Sequence, residues 1–129
     1  QVDDRAVVVR TPLNGRTRNH LGSRYVGVLA AGADTAGGFL AVQRIQATKA
    51  RVDLVFKDFR AEFLRRATGD VDFRCDAGER IGALVDAAIA SGERQELVVP
   101  VVATVPSEDP NTPVARFELT LSLRRRDPR

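Results

Sequence analysis

The sequence predicts an α+β fold, with one long helix packed against an antiparallel sheet. Three observations predict it. A stretch from about Ser23 to Thr48 is rich in alanine, free of proline and apolar at helical spacing. Several shorter runs alternate apolar and polar residues with the period of two that strands require. The connections between those runs are mostly short, which favours antiparallel pairing. With 129 residues the chain suits one core and reads as a single domain over 1–129.

The elements follow in order. Ala6–Val9 reads as a short strand, and Thr11–Arg18 as a loop punctuated by Pro12, Asn14 and Gly15. Ser23 is the expected N-cap of the long helix. Gly32, Gly37 and Gly38 lie inside that helix, and each interior glycine costs about 1 kcal/mol against alanine. The sequence therefore implies a compensation, the close approach of another backbone to this small-residue stripe.

Arg51–Arg65 changes period. Val52, Leu54 and Phe56 share one parity and Phe59, Ala61 and Phe63 the other, which places a β-bulge at Lys57 and Asp58. In Gly69–Cys75 the residues Val71, Phe73 and Cys75 share a face, and Thr68-Gly69-Asp70 reads as a hairpin turn between these two strands. Gly78–Ser91 carries Ile81, Leu84, Val85, Ala88 and Ile89 as one helical stripe. Asp76 with Glu79 resembles a capping box, and Gly92 is its terminator. Arg94–Val105 is a strand with Leu97, Val99, Val101, Ala103 and Val105 inward; Pro100 points the other way and marks an exposed or irregular edge. Ser107–Pro113 is a turn, and Val114–Arg125 the last strand, with Phe117, Leu119, Leu121 and Leu123 inward. The sheet therefore has five to six strands.

Composition narrows the function. Hydrophobic residues make up 43% and charged residues 29%, an ordinary globular balance. No run approaches the roughly 18 apolar residues of a membrane span, and Gln1–Arg10 lacks the pattern of a signal peptide, so the expected location is cytoplasmic. Cys75 is the lone cysteine and reads as a small hydrophobe on a strand. The net charge of +3 is almost all arginine, since only Lys49 and Lys57 are lysines. Acidic residues are interspersed with it, a balance compatible with a phosphate-rich anionic ligand. No aromatic cluster runs with basic residues, so no nucleic-acid partner is expected. His20 is the single histidine, which excludes a two-histidine zinc site. A nucleophile elbow, a GxGxxG sequence and a P-loop are all missing, and neither cofactor nor metal is expected.

What remains is the segment from Asn19 to Gly38. Asp34 sits in mid-helix among small apolar neighbours, and Gly27, Ala30, Ala31, Asp34 and Gly38 are spaced to share one face. A carboxylate there should be pressed against another surface. Burial would favour its neutral form, as a general base working near neutral pH requires. The plain alternative is a solvated helix residue, or one held by an arginine.

The pattern Asn19-x-x-Gly22-x-x-x-x-Gly27, then Leu29, then Asp34-Thr35-Ala36, resembles the signature of the hotdog thioesterase superfamily. It is most similar to the branch of phenylacetate-degradation-type acyl-CoA thioesterases, and closest to an uncharacterised bacterial thioesterase-like group. Phe56-Lys57-Asp58 and Phe63-Leu64-Arg65-Arg66-Ala67-x-Gly69-Asp70 resemble the superfamily's following strands, and the likeness runs from about Val7 to Leu123. It implies a hotdog fold, an acyl-CoA or other acyl-thioester substrate, and a homodimer or dimer of dimers. Asp34 matches the helical acid, a general base or nucleophile. Gly27 matches the glycine whose N–H polarises the thioester carbonyl with help from the helix dipole. Asn19 matches the loop asparagine that places the water or the carbonyl. Tyr25 stands where the branch has histidine, and Val26 replaces the first glycine. Both border the implied substrate site, with Phe63 as a pocket residue and Arg60, beside Lys57, Arg65 and Arg66, as a partner for coenzyme A phosphates. The changes at Tyr25 and Val26 open a second reading, a non-catalytic binder of acyl-CoA or acyl carrier protein. A third makes Asp34 an interface residue only.

Overall fold

A computed structural model describes residues 6–11, 23–65 and 69–126, with the side chains of residues 11, 23–28 and 110 outside that description. The elements run β1 (Val7–Thr11), α1 (Ser23–Thr48), β2 (Val52–Phe63), β3 (Val71–Cys75), α2 (Gly78–Ser91), β4 (Gln95–Val105) and β5 (Asp109–Arg125). The strands form one antiparallel sheet ordered β1-β3-β4-β5-β2. The sheet curls around α1, and the fold is α+β of the hotdog type.

Three glycines of α1 set how closely the sheet wraps. Gly32 faces Phe73 of β3, Gly37 faces Leu119 of β5 and Val101 of β4, and Gly38 faces Phe56 of β2. A helix turns about 100° per residue, so these contacts span roughly 240° of its circumference. What fills the glycine positions is aromatic and branched side chains, where the sequence suggested a backbone. A methyl group on Gly38 would lie 2.9 Å from the Phe56 ring, and one on Gly37 would lie 3.3 Å from Leu119.

Strand parity delivers the core. Phe73, Val99, Val101, Phe117, Leu119, Leu121 and Leu123 are buried on the inner face of the sheet. Cys75 joins them, and burial pushes its thiol up, as suits an inert small hydrophobe. The register of β2 on β5 shifts between Phe56 and Asp58, the bulge that the parity slip predicts. Beyond it, Phe59 pairs with Leu119 and Phe63 with Ala115, so both rings return to the inner face. They gather on Phe117, with centroids 5.7 Å and 6.0 Å away.

Several local expectations are corrected. β2 and β3 are not hydrogen-bonded neighbours, because β4 and β5 lie between them. Gly69-Asp70 therefore belongs to a crossover, with Gly69 close against Ser107 and Val105, and Thr68 lies outside the described residues. Asp76 does not cap α2: the N-cap is Ala77 with no side-chain bond, and the Asp76 carboxylate instead accepts from Arg74 at 2.8 Å. Gly92 ends α2 as expected, at φ 70° with its N–H donating to the Ala88 carbonyl. β5 begins at Asp109, earlier than expected. There the Asp109 carboxylate accepts bonds from Thr112 Oγ1 at 2.6 Å and Asn111 N at 2.9 Å, which hold its carboxyl below the usual range. Pro100 is exposed in the half of β4 that β3 is too short to reach, so its missing N–H breaks no ladder bond on that side.

Gly32→Ala should destabilise the fold by about 1–3 kcal/mol, because the buried Phe73 ring has nowhere to move. Gly82→Ala, in α2 with open space at its Cβ, should instead stabilise by about 0.5–1 kcal/mol. Urea unfolding of the two variants beside the wild type measures both signs.

Candidate active site

Asp34 stands one helical turn before Gly38 on the flank of α1 that faces β2. A three-residue turn joins α1 to β2, so the strand runs back along the helix, and the seat of Phe56 on Gly38 fixes their relative level. From that seat, Asp34 lies about 6 Å back along the helix axis. Phe59 lies roughly 7–10 Å along the strand in the same direction. Cover falls away on both walls together. Ala41 and Gly38 are buried, whereas Asp34 is exposed; Phe56 is half-buried, whereas Phe59 is 40% and Phe63 42% exposed. Helix rise and strand rise together set the Asp34 carboxylate level with Phe59, an open shelf with the carboxylate on the helical side, the Phe59 ring on the strand side and Phe117 beneath that ring.

Partial desolvation by its apolar surroundings pushes the Asp34 carboxyl above its usual range. In the single chain the side chain is still exposed, so the expectation of a carboxylate pressed against another surface is not met within one copy. The Thr35 hydroxyl donates to the Ala31 carbonyl at 2.9 Å and so turns back into the helix.

The other expected site residues are placed unequally. Gly27 is the fifth residue of α1, where the helical pattern pairs its N–H with the Ser23 carbonyl. The N–H groups of Ser23, Arg24 and Tyr25 precede the first closed turn, and the first turn itself holds no acidic residue. The Tyr25 and Val26 side chains and all of Asn19 lie outside the described residues. Phe63 is on the inner face of β2, seven residues beyond Phe56, with its ring 6.0 Å from Phe117. Arg60 is on the outer face of β2, 3.6 Å from Glu118. Lys57 is also on that face, 3.1 Å from Glu96. Sequence reasoning passed over Phe59 and Phe56 as walls of the site, although Phe59 shares the parity of Phe63.

A separate cavity of about 620 Å³ lies between α1 and α2, near Gln43, Gly82 and the Arg44–Asp86 ion pair at 2.9 Å. It begins at Leu40, on the far side of Gly38 from Asp34, and does not reach the shelf. Among the described residues no group of three His, Cys, Asp or Glu side chains stands together as metal ligands, and no helix is long and apolar enough to cross a membrane.

Residues 1–123 match the family described as a domain of unknown function, DUF4442. The chain belongs to this family. No curated protein matches this DUF4442 chain. Among solved structures it is similar to a Pseudomonas aeruginosa protein of unknown function described as a probable thioesterase. That pair shares 28% identity at a TM-score of 0.75, over 94% of this chain and 77% of the other. A thioesterase from Haemophilus influenzae aligns at TM-score 0.67 and 20% identity, covering 97% of this chain and 76% of that one. A variant of a Staphylococcus aureus thioesterase aligns at TM-score 0.68 and 16% identity, covering 96% and 89%. The last two show likeness of fold alone. All three fit the hotdog thioesterase superfamily.

The raised Asp34 carboxyl has a definite sign for stability. Its folded pKa lies above the unfolded one, so its contribution is fully present below the unfolded pKa, near 3.9, and is lost as pH rises through the folded value. Asp34→Asn removes that term. The melting temperature of the variant minus that of the wild type should therefore be larger at pH 7 than at pH 4, and thermal scans at the two values test it.

Proposed function

We propose that this DUF4442 chain is an acyl-CoA thioesterase, working at a site shared by two copies, with Asp34 as general base or nucleophile. The observation that carries the reading is the shelf itself. A carboxylate with a raised pKa stands on the helical flank level with Phe59, an exposed ring that an acyl group can cover. The 28% identical relative described as a probable thioesterase supports the same chemistry. Asp34 takes a proton from water as it attacks the thioester carbon, or attacks that carbon directly to give an anhydride that water then opens. Either way the carbon–sulfur bond breaks and the thiol leaves with a proton.

The carbonyl oxygen needs a donor, and the N-terminus of α1, whose first turn holds no acidic residue, supplies it. Gly27 N–H takes this role if the first turn opens, and Asn19 helps to place the water. The second copy follows from β2, a 12-residue strand at the sheet's edge, whose inner-face rings lack cover. Pairing two such edges makes one continuous sheet and brings the helix N-terminus of one copy towards the shelf of the other. The phenylacetate-degradation-type branch and the dimer of dimers are the finer form of this reading.

A non-catalytic acyl-thioester binder is the second reading, favoured by Tyr25 and Val26 in the motif and by the engaged N–H of Gly27. One experiment separates them. Thiol release from a panel of acyl-CoAs should be measurable and should fall by about 10²–10⁴ in Asp34→Asn, with the fold intact by circular dichroism. Turnover unchanged in the variant rejects Asp34, and binding of acyl-CoA without any thiol release selects the binder. Sedimentation equilibrium should give a dimer or a multiple of it, and a monomer with full activity would remove the shared site.

A further inference from the structure

We infer that Phe56 is the end stop of the acyl subsite and restricts the site to compact acyl groups. The inference rests on the reading of Asp34 as the reacting acid. Three features carry it. First, the seam between α1 and the sheet is filled. Gly32 is closed by Phe73, and Gly37 by Leu119 and Val101, so among the described residues the seam is shut at both of these glycines. Second, the shelf has one blind end and one open end. The blind end is Gly38, with the Phe56 ring so close that a methyl group there would sit 2.9 Å from it. The open end lies beyond Phe59 along the inner face of β2 towards Phe63, 40% and 42% exposed. Third, a thioester is lopsided. Its carrier thiol ends in a large, charged, hydrated group, which can leave only by the open end, so the acyl group must point to the blind one.

The length of that end follows from helix geometry. From Asp34 to Gly38 is about 6 Å of helix axis, room for roughly four or five methylenes or one aromatic ring. The Phe59 ring, 40% exposed and stacked on Phe117 at 5.7 Å, gives the acyl group an apolar wall.

The test is a chain-length series of acyl-CoAs from two to sixteen carbons with phenylacetyl-CoA added, read as kcat/KM for the wild type, Phe56→Ala and Phe56→Leu. The leucine variant keeps an apolar partner for Leu121 across the β2–β5 ladder, and melting curves identify any variant that fails to fold. In the wild type, kcat/KM should fall at least tenfold between six and ten carbons, with the aromatic acyl group retained. The ten-carbon to four-carbon ratio should rise at least tenfold in Phe56→Ala and by less in Phe56→Leu. A wild type that accepts twelve to sixteen carbons as well as four overturns the end stop, as does an unchanged profile in both folded variants. If no thioester turns over, the proposed activity fails on its own. Calorimetric binding of non-hydrolysable thioether analogues then reads the subsite directly. A length cut-off that moves in Phe56→Ala supports the end stop, and binding that is absent or independent of length rejects it.

Discussion

The contact between the glycines of α1 and the side chains of the sheet is the constraint on which the rest of the structure depends. Each interior glycine weakens the helix by about 1 kcal/mol. Full burial of one phenylalanine is worth about 1.5–3 kcal/mol, so a glycine that lets a ring such as Phe73 sink out of solvent is a net gain. A side chain at Gly32 would collide with the Phe73 ring, one at Gly38 would press on the tip of Phe56, and one at Gly37 would crowd Leu119, so all three positions limit how closely the sheet can sit. The curl of the sheet is thus written into the helix.

A tight wrap also decides where the sheet runs out of cover. β2 holds α1 at Phe56 and then continues past the bulge, where Phe59 and Phe63 find Phe117 on one side and solvent on the other. The outer face has a different character. Arg10 with Asp72 and Arg60 with Glu118 tie neighbouring strands together across it, and Lys57 of β2 reaches over β5 to Glu96 of β4. Exposed pairs of this kind contribute little stability each, but they explain how an arginine-rich chain presents no concentrated basic patch there. The charge sits on one side of the sheet and the exposed aromatic surface on the other.

Much of this was legible in the sequence because it is local. The bulge is visible as a parity slip at Lys57 and Asp58, and Gly92 as a helix stop needs only its position after the apolar stripe. The strand order was not legible. Thr68-Gly69-Asp70 has turn chemistry, but turn chemistry does not say which strand lies alongside, and β2 finds β5 some sixty residues later. Asp76 has the right type and spacing for a cap, yet Arg74, two residues away on the strand, takes its carboxylate. The face shared by Asp34 and Gly38 was legible from periodicity. The exposure of Asp34 was not, since it depends on how far β2 overruns the helix. Arg60 was offered as a phosphate partner on residue type alone, and strand parity puts it on the other face from Asp34.

The spacing along α1 makes a last point about chemistry. Asp34 and Gly27 are seven residues apart, which is about 10 Å of helix axis. A general base and an oxyanion donor must each come within about 3 Å of the same reacting carbonyl and its water. An aspartate has too short a side chain to close that gap along its own helix, and the earlier N–H groups of residues 23–25 are farther still. In the proposed hydrolase these two groups therefore serve best when they come from two chains. On that proposal the acid comes from one copy and the helix terminus from the other. In that arrangement the uncovered rings of β2, costly in a lone chain, become the surface that the second copy and the acyl group share.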